Sequence, residues 1–251
     1  MVKILMSGCN GRMGKVISSL AAEDTDVQIA AGIDVAGTSA CEYPVYKRFE
    51  DVKENVDVIV DFSSPKAFDD MLDYAVSKNI PVVVCTTGLA KEQLQRLEKE
   101  SGRVAVLRSA NMSVGINLLL KLLREAAPVL AGEGFDIEII EEHHNQKKDA
   151  PSGTALALAD SIKESLDGRY HTVYDRTERS EKRDPAEIGI SSVRGGTIPG
   201  IHRVLFAGTD EVIEFTHTAY SRTIFGKGAV AAAKFLAGKP AGYYGMEDVI
   251  G

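Results

Sequence analysis

Between residues 141 and 155 the chain reads EEHHNQKKDAPSGTA, a dense run of side chains that carry or exchange protons just ahead of a helix start. Histidine titrates near neutral pH and can deliver a proton, and a lysine beside it adds fixed positive charge. Pro151 is expected near the first helical position, followed by Ser152, Gly153 and Thr154 in the first turn. Backbone N–H groups of such a turn, with a threonine hydroxyl, form a cradle for an anion such as a carboxylate. Acid, cation and anion cradle together suit chemistry on a small carboxylate-bearing substrate. A metal is not expected, because His143 and His144 are adjacent at a strand end and should face opposite ways, and no zinc-type spacing is present. The competing reading is a solvated, charge-rich turn.

A second constellation lies near the start. GCNGRMG places Gly8, Gly11 and Gly14 directly after an apolar run and at the mouth of a helix. Glycines there permit a tight turn and let backbone N–H groups approach a pyrophosphate at the positive end of the helix. The spacing is G-x-x-G-x-x-G rather than the commoner G-x-G-x-x-G, so context has to carry the reading. Asp34 follows 20 residues after Gly14, at the end of the next apolar run, where a carboxylate can accept hydrogen bonds from a ribose diol. CTTGL (85–89) and SANMS (109–113) end two further apolar runs, at the edge where open α/β sheets bind ligands. Cys85 has no activating partner in the sequence and reads as packing. The two constellations together describe reduction of a small carboxylate-bearing substrate by a dinucleotide.

The elements that must hold these residues follow from periodicity. VKILMSG, VQIAAGID, VDVIVDFS, IPVVVCTTG and RVAVLRSA are short, β-branched and bounded by turn residues, as buried parallel strands are. GRMGKVISSLAAE, PKAFDDMLDYAVSKN and LAKEQLQRLEKES are the helices between them. This alternation predicts a doubly wound, Rossmann-like α/β sheet. From residue 113 the pattern changes. SVGINLLLKLLREAAPVLAG is a long helix with Ser113 as its cap, FDIEIIEEHH a strand, and Pro151 to Leu166 another helix. HRVLFAG and EVIEFTHTAYS are strands with no helix between them, so an α+β domain with a mixed sheet is expected. Residues 175–200 read as a long loop, and TIFGKGAVAAAKFLAGKP as a final helix able to pack on the first domain.

Bulk properties set the frame. The 251 residues carry a net charge of −7, with 44% hydrophobic and 26% charged residues, which argues against nucleic acid and anionic membranes as partners. No apolar run approaches the ~18 residues of a membrane span. No secretory signal pattern is present at Met1–Gly11, and the three cysteines lack C-x-x-C spacing, so a reduced, cytoplasmic setting is expected.

With these motifs in place the sequence resembles the 4-hydroxy-tetrahydrodipicolinate (dihydrodipicolinate) reductase family. GCNGRMG, CTTGL, SANMSVGIN and above all EEHHNQKKDAPSGTA carry the likeness, and HTAYSR and GAVAAAKFL extend it to the C-terminal part. The resemblance implies a dinucleotide-binding domain from residues 1–112 and 223–251, and a substrate-binding and tetramerisation domain from 113–222. It implies His143 as general acid and Lys147 as a second proton-donating, charge-stabilising group, with His144, Gly153 and Thr154 holding substrate carboxylates. Gly8, Cys9, Asn10, Gly11, Arg12, Met13, Asp34, Cys85, Thr86, Thr87, Ser109, Ala110, Asn111 and Met112 would line an NADH or NADPH site. The implied reaction is reduction of a cyclic dicarboxylate with loss of its hydroxyl as water, in the diaminopimelate route to lysine, by a homotetramer.

Cys85 and Met112 depart from the family's usual glycine and phenylalanine. Val35 stands where many members carry an arginine able to meet a 2′-phosphate, with no basic residue before Lys47, so NADH is expected to serve at least as well as NADPH and to be preferred. Another Rossmann-type amino-acid dehydrogenase would share the first half without the 143–154 run. A non-catalytic NAD-binding sensor would keep the glycine turn and lose the proton donors.

Overall fold

In the computed structural model, which describes residues 1–37 and 41–251, the apolar runs of the first half become strands of one parallel sheet. These are β1 (Val2–Ser7), β2 (Val27–Ile33), the short β3 (Val45–Tyr46), β4 (Val58–Asp61), β5 (Val82–Val84) and β6 (Ala105–Arg108), with β12 (Gly242–Tyr244) added at one edge. Helices α1 (Arg12–Ala22), α2 (Phe68–Lys78) and α3 (Lys91–Glu100) alternate with them. The spatial order is β12-β6-β5-β4-β1-β2-β3, so the winding reverses between β1 and β4. Alternate side chains of β1 enter different cores. Ile4 and Met6 pack with α1 and with α6 (Thr223–Leu236), while Leu5 packs with α2 and α3. Both faces are covered, which is why the inner stretches of these strands, such as residues 4–6 and 58–60, are apolar in succession.

A second sheet has the order β11-β10-β7-β9-β8. It comprises β7 (Asp136–His143), β8 (His171–Val173), β9 (Glu187–Arg194), β10 (Gly200–Ala207) and β11 (Val212–Ala219). β11, β10 and β7 pair antiparallel, whereas β7, β9 and β8 pair parallel, so the sheet is mixed. Two helices, α4 (Val114–Gly132) and α5 (Gly153–Ser165), cover one face through Leu119, Leu123, Leu158 and Ile162. Along β7 the alternation puts Ile137, Ile139, Glu141 and His143 on the buried side, and Glu138, Ile140 and Glu142 on the other. The chain divides into two compact units, Met1–Val114 with Thr223–Gly251, and Gly115–Arg222.

Three expectations need correction. Residues 175–200 are not one loop: β9 runs through them and pairs with β7 and β8. Its charge and glycine content have a local cause. At Gly189 a Cβ would sit 1.9 Å from the Glu138 carboxylate, and Arg176 and Arg183 bind Glu138 while Arg176 and Arg179 bind Glu187. Secondly, α5 begins at Gly153, with Ser152 as its N-cap and Pro151 outside the helix. The Ser152 hydroxyl accepts the Ala155 N–H at 3.1 Å, a contact proline cannot make. Thirdly, β3, β8, β12 and the terminal α7 (Met246–Ile250) were not anticipated, being too short to show a period.

Candidate active site

At the end of β7 the two-residue period carries Glu141 and His143 to the same buried face. Glu141 Oε2 lies 2.5 Å from His143 Nδ1. Arg194, the register partner of His143 on β9, grips both Glu141 oxygens at 2.8 and 2.7 Å. The Ser152 N–H, just before α5, donates to Glu141 Oε1 at 3.1 Å. Burial alone would raise the Glu141 pKa, but hydrogen bonds from Arg194, Ser192 and His143 outweigh it and hold the carboxyl down to about 2. His143 moves the other way. Burial pushes its pKa below the ordinary 6.5, and Lys147 and Arg194 add to this, with Glu141 opposing. The imidazole is therefore held in its neutral form at pH 7.

His202 on β10 completes the buried floor. Its ring meets that of His143 edge to face at 5.1 Å between centroids, and its Nε2 lies 3.0 Å from the Ser152 hydroxyl. Burial, reinforced by His143, lowers the His202 pKa to about 4. The other His143 nitrogen, Nε2, faces Gly200, where an added Cβ would stand only 3.1 Å away. Glycine at 200 thus puts no side chain over the Nε2 edge. Lys147 follows in the loop and pairs with Asp149 at 2.9 Å, and Arg194 donates to the Asp149 carbonyl at 2.7 Å. His144 is half-buried beside the buried His143, consistent with adjacent strand positions facing opposite ways. Gly153 is exposed and Thr154 half-buried in the first turn of α5.

The glycine turn sits at the β1/β4 switch point of the parallel sheet. Gly8 has φ +79, and a Cβ there would come within 2.6 Å of the Phe62 carbonyl, while one at Gly14 would meet the Gly8 and Cys9 carbonyls at 2.4 Å. α1 starts from Gly11 with no side-chain cap and no acid in its first turn, so its N-terminus is open to an anion. Asn10 and Arg12–Met13 belong to this turn, and Asn10 donates its N–H to Asp34 at 3.2 Å. Cys9 is buried, with its thiol pushed up to about 12 by burial and by Asp34. Burial and Asp61 likewise raise Cys85 well above the ordinary thiol range, so neither is an activated nucleophile. Thr86 is buried and Thr87 exposed. Ser109 to Met112 fold on themselves, the Ser109 hydroxyl donating to the Asn111 carbonyl at 2.9 Å. These residues fit a dinucleotide: a glycine cradle a Cβ would fill, an uncapped helix, and an acid at the end of β2.

Four residues escaped the sequence reading. Glu141 was legible in principle, since two residues before a histidine on a strand means the same face. Arg194 and His202 carried no signal, because only the pairing of β9, β7 and β10 brings them to Glu141 and His143. Asp61, fully buried at the end of β4, accepts the hydroxyls of Ser63 and Thr86, both at 2.6 Å, and so ties together the loops after β4 and β5.

A parallel sheet with a glycine turn at its switch point, together with a mixed-sheet unit bearing a Glu–His–Arg cluster, defines the class: a two-unit, nucleotide-dependent α/β oxidoreductase. Within that class the chain belongs to the dihydrodipicolinate reductase family, whose N-terminal model matches residues 2–112 and whose C-terminal model matches 115–250. The 4-hydroxy-tetrahydrodipicolinate reductase of Caldanaerobacter subterraneus subsp. tengcongensis is 50% identical, over 100% of this chain and 98% of its own length. That of Staphylococcus carnosus is 46% identical over 99% of each chain. Dipicolinate-bound dihydrodipicolinate reductase from Paenisporosarcina sp. TG-14 superposes with a TM-score of 0.81 at 26% identity, covering 99% of both chains. A probable dehydrogenase from Thermotoga maritima shares the fold at 13% identity, with a TM-score of 0.64 over 99% of this chain and 92% of its own.

Proposed function

We propose that this chain catalyses NAD(P)H-dependent reduction of 4-hydroxy-tetrahydrodipicolinate to tetrahydrodipicolinate, in the diaminopimelate route to lysine. Likeness over the whole length to reductases of that name supports the reaction. The observation that carries the chemistry is His143, oriented by a buried carboxylate, with Nε2 uncovered and Lys147 four residues on. NAD(P)H, when bound, supplies the hydride. Gly8 to Met13, Asp34, Cys85 to Thr87 and Ser109 to Met112 are assigned to holding it.

His144, Gly153 and Thr154 are assigned to the substrate carboxylates, at the positive end of α5. Two carboxylates there add negative charge near His143 and raise its affinity for a proton, so substrate binding itself arms the acid. Lys147 then releases Asp149 and turns to the substrate anion. The ring takes up hydride and one proton as its hydroxyl leaves as water, and His143 and Lys147 supply and stabilise the proton charge.

The open face of the mixed sheet supports a homotetramer. It carries Ile140, Ile201 and Leu205 partly exposed, with Val193 45% and Val212 58% exposed. The three cysteines are free thiols, and no described helix is long and apolar enough to cross a membrane. Together with a biosynthetic role these support a cytoplasmic setting.

NADH serves at least as well as NADPH in this reading. Asp34 repels a 2′-phosphate, and Val35 is 87% exposed without offering a charge. The nearby cation is Lys47, beside Asp34 across the β2–β3 pairing, whose side chain packs on Gly37. Oxidation of NADH and NADPH, followed with and without the dicarboxylate, tests both statements. Turnover without dependence on the dicarboxylate refutes the function. A preference for NADPH of tenfold in kcat/KM, about 1.4 kcal/mol, overturns the cofactor assignment, and Lys47→Ala then shows whether that lysine is the cause.

A further inference from the structure

We propose that Glu141, clamped by Arg194, is the positioning residue that sets the tautomer of His143 and sustains its charged form during turnover. The inference rests on the reading of His143 as the acid.

Donors from four residues, Ser152, Arg194, His143 and Ser192, converge on this carboxylate. Oε1 receives the Ser152 N–H at 3.1 Å and Arg194 Nη2 at 2.7 Å, and Oε2 receives Arg194 Nη1 at 2.8 Å and faces His143 Nδ1 at 2.5 Å. Arginine and backbone donors cannot reverse their role. An ionised carboxylate only accepts, so the proton of neutral His143 sits on Nδ1 and Nε2 is left as the working nitrogen. Geometry agrees: Nε2 is the nitrogen that faces Gly200, a residue with no side chain to cover it. When His143 takes its second proton, the charge forms beside a carboxylate already fixed in place. Glu141 is fully buried and Arg194 also binds the Val193 and Asp149 carbonyls, so the dyad cannot swing away. The same chain of contacts reaches the Lys147 loop through Asp149. The titratable and charged groups facing His143 are Glu141 from β7, Arg194 from β9, His202 from β10 and Lys147 from the loop.

Glu141→Gln is the discriminating change. An amide keeps the shape but must point its NH₂ at one side. The Oε1 position holds two fixed donors, Ser152 N–H and Arg194. The Oε2 position holds Arg194 and His143, whose ring can exchange a donor for an acceptor at Nδ1. The amide therefore faces His143 Nδ1, which becomes an acceptor, and the ring proton moves to Nε2. An imidazolium, with protons on both nitrogens, is then opposed by the amide.

The test combines ¹⁵N-histidine NMR with kinetics. The protein's five histidines make the labelled spectrum assignable. Wild-type His143 should be the Nδ1–H tautomer, and Glu141→Gln should convert it to Nε2–H. The variant should lose ~10²-fold or more in kcat, the scale for misorienting an acid–base histidine, with the acid limb of its pH profile displaced downward and NADH affinity unchanged. Glu141→Asp should recover part of kcat. An Nε2–H tautomer in the wild-type protein overturns the proposal without any variant, as does a folded Glu141→Gln protein with near-normal kcat while His143→Ala is impaired. Near-normal kcat in His143→Ala instead removes the reading of His143 as the acid, and the proposal with it.

Discussion

His143 ends β7 and Lys147 lies in the loop that follows, and the structure surrounds them differently. His143 is 8% exposed and held at Nδ1, whereas Lys147 rests on Asp149, whose carboxylate is 60% exposed. In a solvated turn either could become alanine with little effect. As proton donor and charge stabiliser, each substitution should instead lower kcat ~10²-fold or more. The double variant should lose less than the product of the two, since residues serving one proton transfer are not additive. His144→Ala and Thr154→Ala should mainly raise KM, by weakening ground-state carboxylate binding. Steady-state kinetics on folded variants separates these patterns, and a Lys147→Ala enzyme with near-normal kcat would remove lysine from the mechanism.

Helix α5 is fastened at its N-cap. The Ser152 hydroxyl accepts the Ala155 N–H and also lies in hydrogen-bond contact with His202 Nε2 at 3.0 Å. His202 Nδ1 is buried and has no partner among the described residues. Ser152→Ala therefore removes a helix cap and strands the second imidazole nitrogen in a buried site. The expected cost is roughly 2 to 4 kcal/mol, the sum of a lost cap and an unsatisfied buried polar group. Ser152→Thr, which keeps the hydroxyl, should lose much less. Denaturant unfolding measures both, and an alanine variant within ~0.5 kcal/mol of wild type, the range of neutral surface changes, would show that the cap and His202 are not coupled.

Acid should weaken the whole molecule in two stages, both originating in the unit that carries the mixed sheet. His202 is neutral in the fold down to about 4, against an ordinary 6.5, because it is buried. The unfolded chain takes that proton first, so stability begins to fall near 6.5 and this loss is complete near 4. His143 and His217 are shifted in the same direction, also by burial, and add to the first stage. Glu141 and Glu187 are held at about 2, against an ordinary 4.5, by Arg194 and by Arg179 with Arg176, despite burial. Their contribution is complete above 4.5 and disappears as the pH drops toward 2. Calorimetry from pH 8 downward should show Tm declining from about 6.5 and continuing through the carboxylate range. A Tm that stays level from pH 8 to 4.5 would contradict the buried, neutral state of His202.

What the sequence determined by itself was everything with a local cause. β-branched runs bounded by turn residues became the parallel strands, because a strand buried on both faces needs no polar alternation. Gly8 and Gly14 were legible because a turn that brings a helix start against a strand end has no room for Cβ. The 143–154 run was legible because its donors are adjacent in the chain. Tertiary structure alone decided the rest. Nothing local marks Arg194 as a partner of Glu141, 53 residues away, since the register of β9 against β7 joins them. The same holds for His202, which reaches Ser152 across a separation of 50 residues. β9 itself was hidden because Arg194 at its end is neutralised by a partner 53 residues away, and a charged stretch without a visible partner reads as loop. A buried carboxylate needs fixed donors from several elements at once, and only a completed sheet assembles them.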